Sequence, residues 1–288
     1  MLAPYTGTSL AASGTPLEGV LTLAGVNGIG VESHVDQEIT LFNKMAIGAN
    51  QEWRLDSLAG SLRQLSNRSD RSLNLNSFML TLNAVNAGNT FNLGNPISGT
   101  GGLTITGAGT ATLTAANTYS GGTILNGGVL SVSSDGNLGA ASGALTFNGG
   151  VLQVTGTAFT STTRTITWGA NGGGFDIADP ANVFTMSQML TGGGSLAKLG
   201  NGTLTLTAAN TYSSDTIINA GTLALTGTGS IAASSDVRDD GVFDISGTAA
   251  GASIKTLSGG GIVNLGTQIL TLTAAADTFR GVIQGTGG

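Results

Sequence analysis

The 288-residue chain contains 48 glycines, 4 prolines and no cysteine, so neither disulfides nor thiolate metal sites hold its fold. Glycine follows no three-residue period, which excludes collagen. Charged residues make up only 9% of the chain, its net charge is −6 and no basic cluster is present, which argues against a nucleic-acid partner. No run approaches the ~18 apolar residues of a membrane helix.

The N-terminal segment, residues 1–19, is small and polar and lacks the basic and apolar regions of a signal peptide. We interpret it as a lead-in or N-terminal cap. From Val20 onward, short strand patterns such as VLTLAG, EITLFN, KMAIGAN and EWRL succeed one another to the last residue. Residues 20–288 are therefore expected to form one continuous all-β region.

A helix competes with this reading at Leu55–Leu65, where four leucines recur at helical spacing. An internal match argues against the helix. Leu73–Leu82 aligns without a gap with Val263–Leu272, and the preceding LDSLAGS resembles IKTLSGG in front of the second segment. The leucine segment is thus predicted to be another strand-and-turn unit.

The most prominent feature is a long internal repeat. Ser98–Val132 aligns without a gap with Thr191–Leu225, and 20 of the 35 aligned pairs are identical, including the block TAANTYS. A truncated third copy covers 270–288. Self-similarity of this kind is typical of solenoids, in which each coil buries its apolar residues against its neighbours. An antiparallel sandwich is the alternative.

The sequence therefore predicts an all-β fold, a right-handed parallel β-helix (β-solenoid) with about 20–25 residues per coil. Asn117 and Asn210 are predicted to bond along the stack of coils. Tyr119, Tyr212 and Phe279 are predicted to close an apolar corner. Six leucines of the two complete copies are predicted to point inward: Leu103, Leu113, Leu130, Leu196, Leu206 and Leu223.

The repeat resembles the autotransporter-associated β-strand repeat, also called the passenger-associated transport repeat. Gly99–Leu130 and Gly192–Leu223 follow its pattern of a Gly-rich start, Gly-x-Gly-Thr-Leu-Thr-Leu, a central Asn-Thr-Tyr and a closing Asn-x-Gly-x-Leu. The first copy has Ile105 where the family has lysine, whereas the second keeps Lys198. The second copy has Ser-Asp in place of the family's Gly-Gly.

This resemblance implies a non-catalytic passenger segment of a Gram-negative autotransporter, a rigid stalk that is exported across the outer membrane to the cell surface or the medium. It implies a membrane connection only through a C-terminal β-barrel that this chain lacks. It also implies possible adhesion through host, cell-surface or glycan contacts. The family motif carries no catalytic, cofactor-binding or metal-binding residue, so none is expected.

Four groups of residues were weighed as sites. His34, with Ser33 and Asp36 beside it, lacks the sequence context of a nucleophile and is interpreted as a polar loop residue. An acidic run around Arg238 is interpreted as a solvated turn, with a calcium site as the open alternative. Its carboxylates belong to Asp236, Asp239, Asp240 and Asp244.

Asp176 and Asp244 occupy similar Phe-Asp-Ile phrases and are expected to face outward; Asp179 lies close to the first. Acids on one exposed face would suit a polysaccharide lyase or hydrolase, which is the alternative function. Trp53 and Trp168 are predicted to pack in the core or at its rim rather than to stack on sugar. Since Gly288 interrupts the third copy, end-to-end self-association is a further expectation.

Overall fold

The computed structural model describes residues 20–23, 29–33, 38–40, 44–56, 61–64 and 72–288. The predicted lead-in at 1–19 lies outside the described residues, as do His34 and Asp36. The chain divides into two compact units, unit 1 (Met1–Thr146) and unit 2 (Phe147–Gly288).

Short strands, separated by turns, make up nearly all of the regular structure. In unit 1 they are β1 (Val20–Leu23), β2 (Ile29–Ser33), β3 (Glu38–Thr40), β4 (Lys44–Ile47), β5 (Gln51–Leu55), β6 (Ser61–Gln64), β7 (Leu73–Asn74), β8 (Leu80–Ala84), β9 (Thr90–Leu93), β10 (Ile97–Ser98), β11 (Leu103–Gly107), β12 (Thr110–Leu113), β13 (Thr123–Leu125) and β14 (Val129–Val132), followed by one turn of 3₁₀-helix at Asp135–Leu138. Strand β15 (Leu145–Phe147) spans the boundary.

Unit 2 continues in the same manner. Its strands are β16 (Val151–Val154), β17 (Ile166–Trp168), β18 (Gly173–Ile177), β19 (Val183–Met186), β20 (Leu196–Leu199), β21 (Thr203–Leu206), β22 (Thr216–Ile218), β23 (Thr222–Gly227), β24 (Val237–Asp239), β25 (Val242–Thr248), β26 (Ala252–Ile254), β27 (Leu257–Gly259), β28 (Ile262–Gly266), β29 (Leu270–Leu272) and β30 (Val282–Gly285).

Strands pair with strands of the next coil rather than with their neighbours in sequence. In unit 2, one sheet runs β19-β21-β23-β25-β28-β30 and another contains β16-β18-β20-β22-β24-β27. In unit 1, β2-β5-β8-β11-β13 and β3-β6-β9-β12-β14 form the corresponding rows. Pairing is parallel in all of these rows, as in β21 with β23 and β8 with β11.

The register gives the length of a coil. Thr203 lies opposite Thr222, which lies opposite Val242, and that residue lies opposite Ile262. A coil at this position therefore takes 19 or 20 residues, and the pairing of Leu80 with Leu103 gives 23 in unit 1. Parallel pairing at this spacing confirms the β-solenoid and excludes the antiparallel sandwich. The right-handed sense remains a prediction.

The core of each unit consists of the inward side chains of successive coils. Strands such as β8 and β12 alternate buried and half-buried residues, because neighbouring side chains of a strand point to opposite faces. The six leucines that were predicted to point inward are all fully buried. In the described residues of the disputed leucine segment, 55–56 and 61–64, the regular structure is strand rather than helix.

Candidate functional site

The central asparagine of the first repeat copy connects its coil to the coils on both sides. Asn117 is buried, and its Oδ1 accepts a hydrogen bond from the backbone N–H of Ile97 at 2.8 Å. Its Nδ2 donates to the backbone carbonyl of Asn137 at 2.5 Å. Each partner is 20 residues away, one coil before and one coil after. An amide side chain can form such a bridge because it carries an acceptor oxygen and a donor nitrogen side by side.

The second copy repeats this arrangement in unit 2. Asn210 Oδ1 accepts from the N–H of Leu190 at 2.9 Å, and Nδ2 donates to the carbonyls of Ala208 and Ser230 at 2.9 and 3.1 Å. The predicted bonding along the stack is therefore confirmed at both asparagines. Because the partners are backbone groups, the bridge fixes the register of three consecutive coils.

The tyrosine of each copy is buried, but the corner that it fills is not purely apolar. The hydroxyl groups of Tyr119 and Thr123 lie 2.7 Å apart, and those of Tyr212 and Thr216 lie 2.5 Å apart. Burial raises the pKa of Tyr212, so the phenol stays neutral. Phe279 was predicted to occupy the equivalent position, but that prediction is wrong: Phe279 is half-buried and pairs with Gly259, in the row of Asp239 and Ile218.

The closing glycine of the motif is required by the backbone at both copies. Gly128 and Gly221 have φ angles of 60° and 61°. A Cβ atom on either residue would lie 2.6 or 2.4 Å from the carbonyl oxygen of Gly109 or Gly202 in the adjacent coil. Any other residue would therefore be strained and would also push the coils apart.

The lysine that distinguishes the second copy is buried in the core side of β20. Its ammonium group donates to the carbonyls of Leu199, Gly200 and Ala220 at 2.6, 2.8 and 3.1 Å. Burial lowers the pKa of Lys198 to about 8, although the carboxylate of Asp176 opposes that shift. The lysine thus satisfies carbonyls at the turns of two coils, while the first copy places Ile105 at this position.

The structure does not bring the two outward acids of the enzyme hypothesis together. Asp176 and Asp244 both face outward, as predicted, but they lie in different sheets, on β18 and β25. Asp176 Oδ2 accepts from Gln153 Nε2 at 2.7 Å, and Asp244 Oδ1 accepts from the N–H of Ser246 at 2.8 Å. Asp179 Oδ1 accepts from a turn N–H at 2.9 Å. These contacts do not form a catalytic pair of carboxylates.

The acidic run is only partly the solvated turn that the sequence suggested. Asp240 is exposed and pairs with Arg238 at 2.8 Å. Asp236 lies half-buried, and its carboxylate accepts hydrogen bonds from the hydroxyl groups of Thr256 and Ser258. Asp239 differs, because it ends strand β24 on the inward face and is fully buried.

Sequence reasoning missed this inward position because acidic residues usually face water. Alignment of β24 with β22 could have revealed it, since Asp239 lies opposite the buried Ile218. Among the described residues, no three histidine or acidic side chains come together in a way that could hold a metal ion.

Both tryptophans are core residues. Trp53 is fully buried and its Nε1 donates to Gln51 at 3.2 Å. Trp168 donates to the carbonyl of Gly194 at 3.2 Å and lies 5.0 Å from the ring of Phe147. Neither ring is available as a sugar platform. The histidine loop cannot be placed, since His34 and Asp36 lie outside the described residues.

The described part of the chain contains no helix that is long and apolar enough to cross a membrane. Each unit instead contains a stack of parallel coils, and one copy of the motif in each unit links its coil to the coils on both sides.

Comparison with known proteins identifies this motif. The sequence model of the passenger-associated-transport repeat matches residues 103–132 and 196–225. The chain is also 36% identical over 181 residues to the adhesin BmaC autotransporter of Brucella suis biovar 1 (strain 1330), covering 59% of this chain and 5% of that protein. The chain thus corresponds to a small part of the length of its relative. No solved structure gives a significant match.

The described coils form β-solenoids, and one segment in each unit matches the passenger-associated-transport repeat. The chain carries two copies of that repeat, as its sequence predicted, and it is similar to part of an autotransporter adhesin.

Proposed function

We propose that this chain is a non-catalytic structural segment of an autotransporter passenger, a rigid support for adhesion at the cell surface or in the medium. The observation that carries the proposal is the repeat itself: its most distinctive side chains, Asn117 and Asn210, are used to connect coils. Similarity to an adhesin autotransporter supports the same view. Contacts with host cells, other cells or glycans would then be made by outward side chains.

Location is the first test. Antibodies raised against the purified 288-residue chain should label intact bacteria or the culture medium, and external protease should remove the label from intact cells without lysis. Labelling that appears only after the cells are opened would contradict the proposal. A cytoplasmic marker protein, which must stay unlabelled and uncleaved, is the control.

Catalysis is the second test. Incubation of the purified chain with a panel of polysaccharides should release no reducing ends and no unsaturated sugars. Release that disappears in Asp176→Asn or Asp244→Asn, but not in Asp179→Asn, would favour the enzyme alternative instead.

We also propose that copies of this chain associate end to end through the last coil of unit 2. Large apolar side chains are exposed there: Ile269 at 61%, Val282 at 57% and Ile283 at 52%. Ile283 lies opposite the fully buried Val263, so it occupies a core position that no further strand covers in the described structure. The strand next to that edge would gain parallel hydrogen bonds.

The proposed occupant is a second copy of the chain. In the described part of unit 1, β1, β2 and β3 each lie at the end of a strand row and offer parallel edges of the same kind. Head-to-tail contacts that do not close into a ring leave an edge free for a further copy, so the oligomers should grow with concentration. Sedimentation velocity should show this growth. The association constant should be about tenfold lower in Ile283→Asp but not in Thr228→Asp. A chain that stays monomeric at every concentration would contradict the proposed association.

A further inference from the structure

One buried acid in unit 2 has no part in the repeat motif. Asp239 is fully buried at the end of β24, and its Oδ1 accepts a hydrogen bond from the N–H of Gly241 at 3.1 Å. Its Oδ2 is buried and makes no hydrogen bond. A buried carboxylate oxygen without a hydrogen-bond partner is unfavourable, because that oxygen has lost its contact with water and no other donor replaces it.

The strands on both sides of this carboxyl group offer no compensating charge. Ile218 of β22 lies opposite it on one side, and Gly259 of β27 lies opposite it on the other. Neither of these strands contains a titratable residue. The strand that follows β24 in sequence, β25, carries one acidic residue, Asp244, and its side chain faces outward.

The other charged groups near this corner are engaged elsewhere. Arg238 is exposed and pairs with Asp240, while Asp236 bonds to hydroxyl groups outside the core. Lys198 faces inward two strands away on β20, but it donates its hydrogen bonds to backbone carbonyls. In the described part of unit 2, therefore, no cation pairs with the Asp239 carboxylate.

The buried position changes the acidity of this group. Burial raises the pKa of Asp239 to about 6, the negative charge of Asp240 adds to the rise, and the N–H groups of Gly241 and Phe243 oppose it. The folded state therefore holds a proton that the unfolded chain, with an ordinary pKa of 3.8, has released. Stability from this group is fully present below pH 3.8 and is lost as the pH rises through about 6.

We propose that Asp239 makes the corner Val237–Phe243 a pH-sensitive lock, which holds the coils of unit 2 together more tightly in mildly acidic surroundings than at neutral pH. Backbone hydrogen bonds connect this corner to the preceding coil. The N–H of Asp240 donates to the carbonyl of Ile218, and the N–H of Val242 donates to the carbonyl of Gly221. A neutral carboxyl group favours the closed corner, and a charged one favours its opening to water.

Hydrogen exchange read by mass spectrometry tests the lock on the full chain. After correction for intrinsic exchange rates, the opening constant of amides in 237–243 should be about tenfold larger at pH 7.5 than at pH 5.0. Amides of 110–113 in unit 1 should show no such change. The variant Asp239→Asn, which is neutral at both values, should abolish the difference, while Asp244→Asn, at an outward position, should keep it.

An unchanged opening constant in the wild type would overturn the proposal, as would a tenfold difference that survives in Asp239→Asn. If that variant fails to fold, the ¹³C shift of the Asp239 carboxyl carbon in the wild type decides the matter. A midpoint near pH 6 supports the lock, and one near the ordinary 3.8 contradicts it.

Discussion

The two complete repeat copies use the same residues for contacts between coils and different residues elsewhere. Asn117 and Asn210 bridge the preceding and following coils, and each copy has a tyrosine bonded to a threonine four residues later. In contrast, Ile105 of the first copy aligns with Lys198 of the second. Both complete copies thus keep the side chains that bridge the coils and fill the tyrosine corner, whereas the position of Lys198, which also bonds to the next coil, is not kept.

The partial third copy sharpens this distinction. At the spacing of asparagine, tyrosine and threonine it has Asp277, Phe279 and Ile283. A carboxylate cannot donate to a carbonyl, so Asp277 cannot form the bridge to a following coil. In the structure, however, these residues do not take the places of the motif: Ile283 lies in the row of Leu223, Phe243 and Val263, whereas Thr216 lies in the row of Val237 and Leu257.

The largest expected effect comes from removal of either amide bridge. Asn117→Ala or Asn210→Ala should lower the free energy of opening of its own unit by about 2–3 kcal/mol, because a buried N–H and a buried carbonyl lose their partners. Hydrogen exchange at the amides of Ile97 and Leu190 measures the two units separately. Asn201→Ala, at an exposed turn of unit 2, is the control and should change the opening free energy by less than 0.5 kcal/mol.

Equal loss in the two variants would support a common role for both asparagines. A loss below about 0.5 kcal/mol in either would contradict the view that the motif exists to connect coils.

A smaller effect is expected at the position where the copies differ. Because the folded pKa of Lys198 is about 8 and its ordinary value is 10.5, the folded state releases its proton first. Stability of unit 2 should therefore rise by about 1–2 kcal/mol between pH 8 and pH 10.5. Denaturant unfolding across this range should show the rise in the wild type and not in Lys198→Ile.

The reciprocal change Ile105→Lys provides the matched test. Gly107 and Gly127 align with Gly200 and Ala220 in the sequence. If the turn alone determines the effect of the lysine, the stability of unit 1 in this variant should therefore depend on pH as that of unit 2 does. A pH profile that is flat in the wild type would show that the buried ammonium group is not destabilised by its surroundings.

Much of the fold followed from the sequence, because alternation of period two and a gapless internal match are both properties of the chain itself. Those signals predicted the solenoid, the inward leucines and the bonding of the two asparagines. They also replaced the helix at Leu55–Leu65 by strands. Each of these features follows from a pattern that recurs along the chain.

Single departures from the repeat were not predictable in this way. Asp239 and Lys198 are charged residues, which are expected at the surface, yet both occupy inward positions. Only the strand register, which places each of them opposite Ile218, reveals this. Asp176 and Asp244 share a phrase, yet they lie in different sheets, since a short phrase does not say which side of the coil it belongs to.

The last and smallest prediction concerns the paired hydroxyl groups. Tyr212→Phe alone should destabilise unit 2 by about 1 kcal/mol, because the Thr216 hydroxyl loses a buried partner. Thr216→Val alone should cost somewhat more, since Thr216 also donates to Ser234 at 3.0 Å. The double variant should lose less than the sum of the two, by about 0.5–1 kcal/mol, as measured by denaturant unfolding in a double-mutant cycle. Strict additivity would mean that the two hydroxyls act independently.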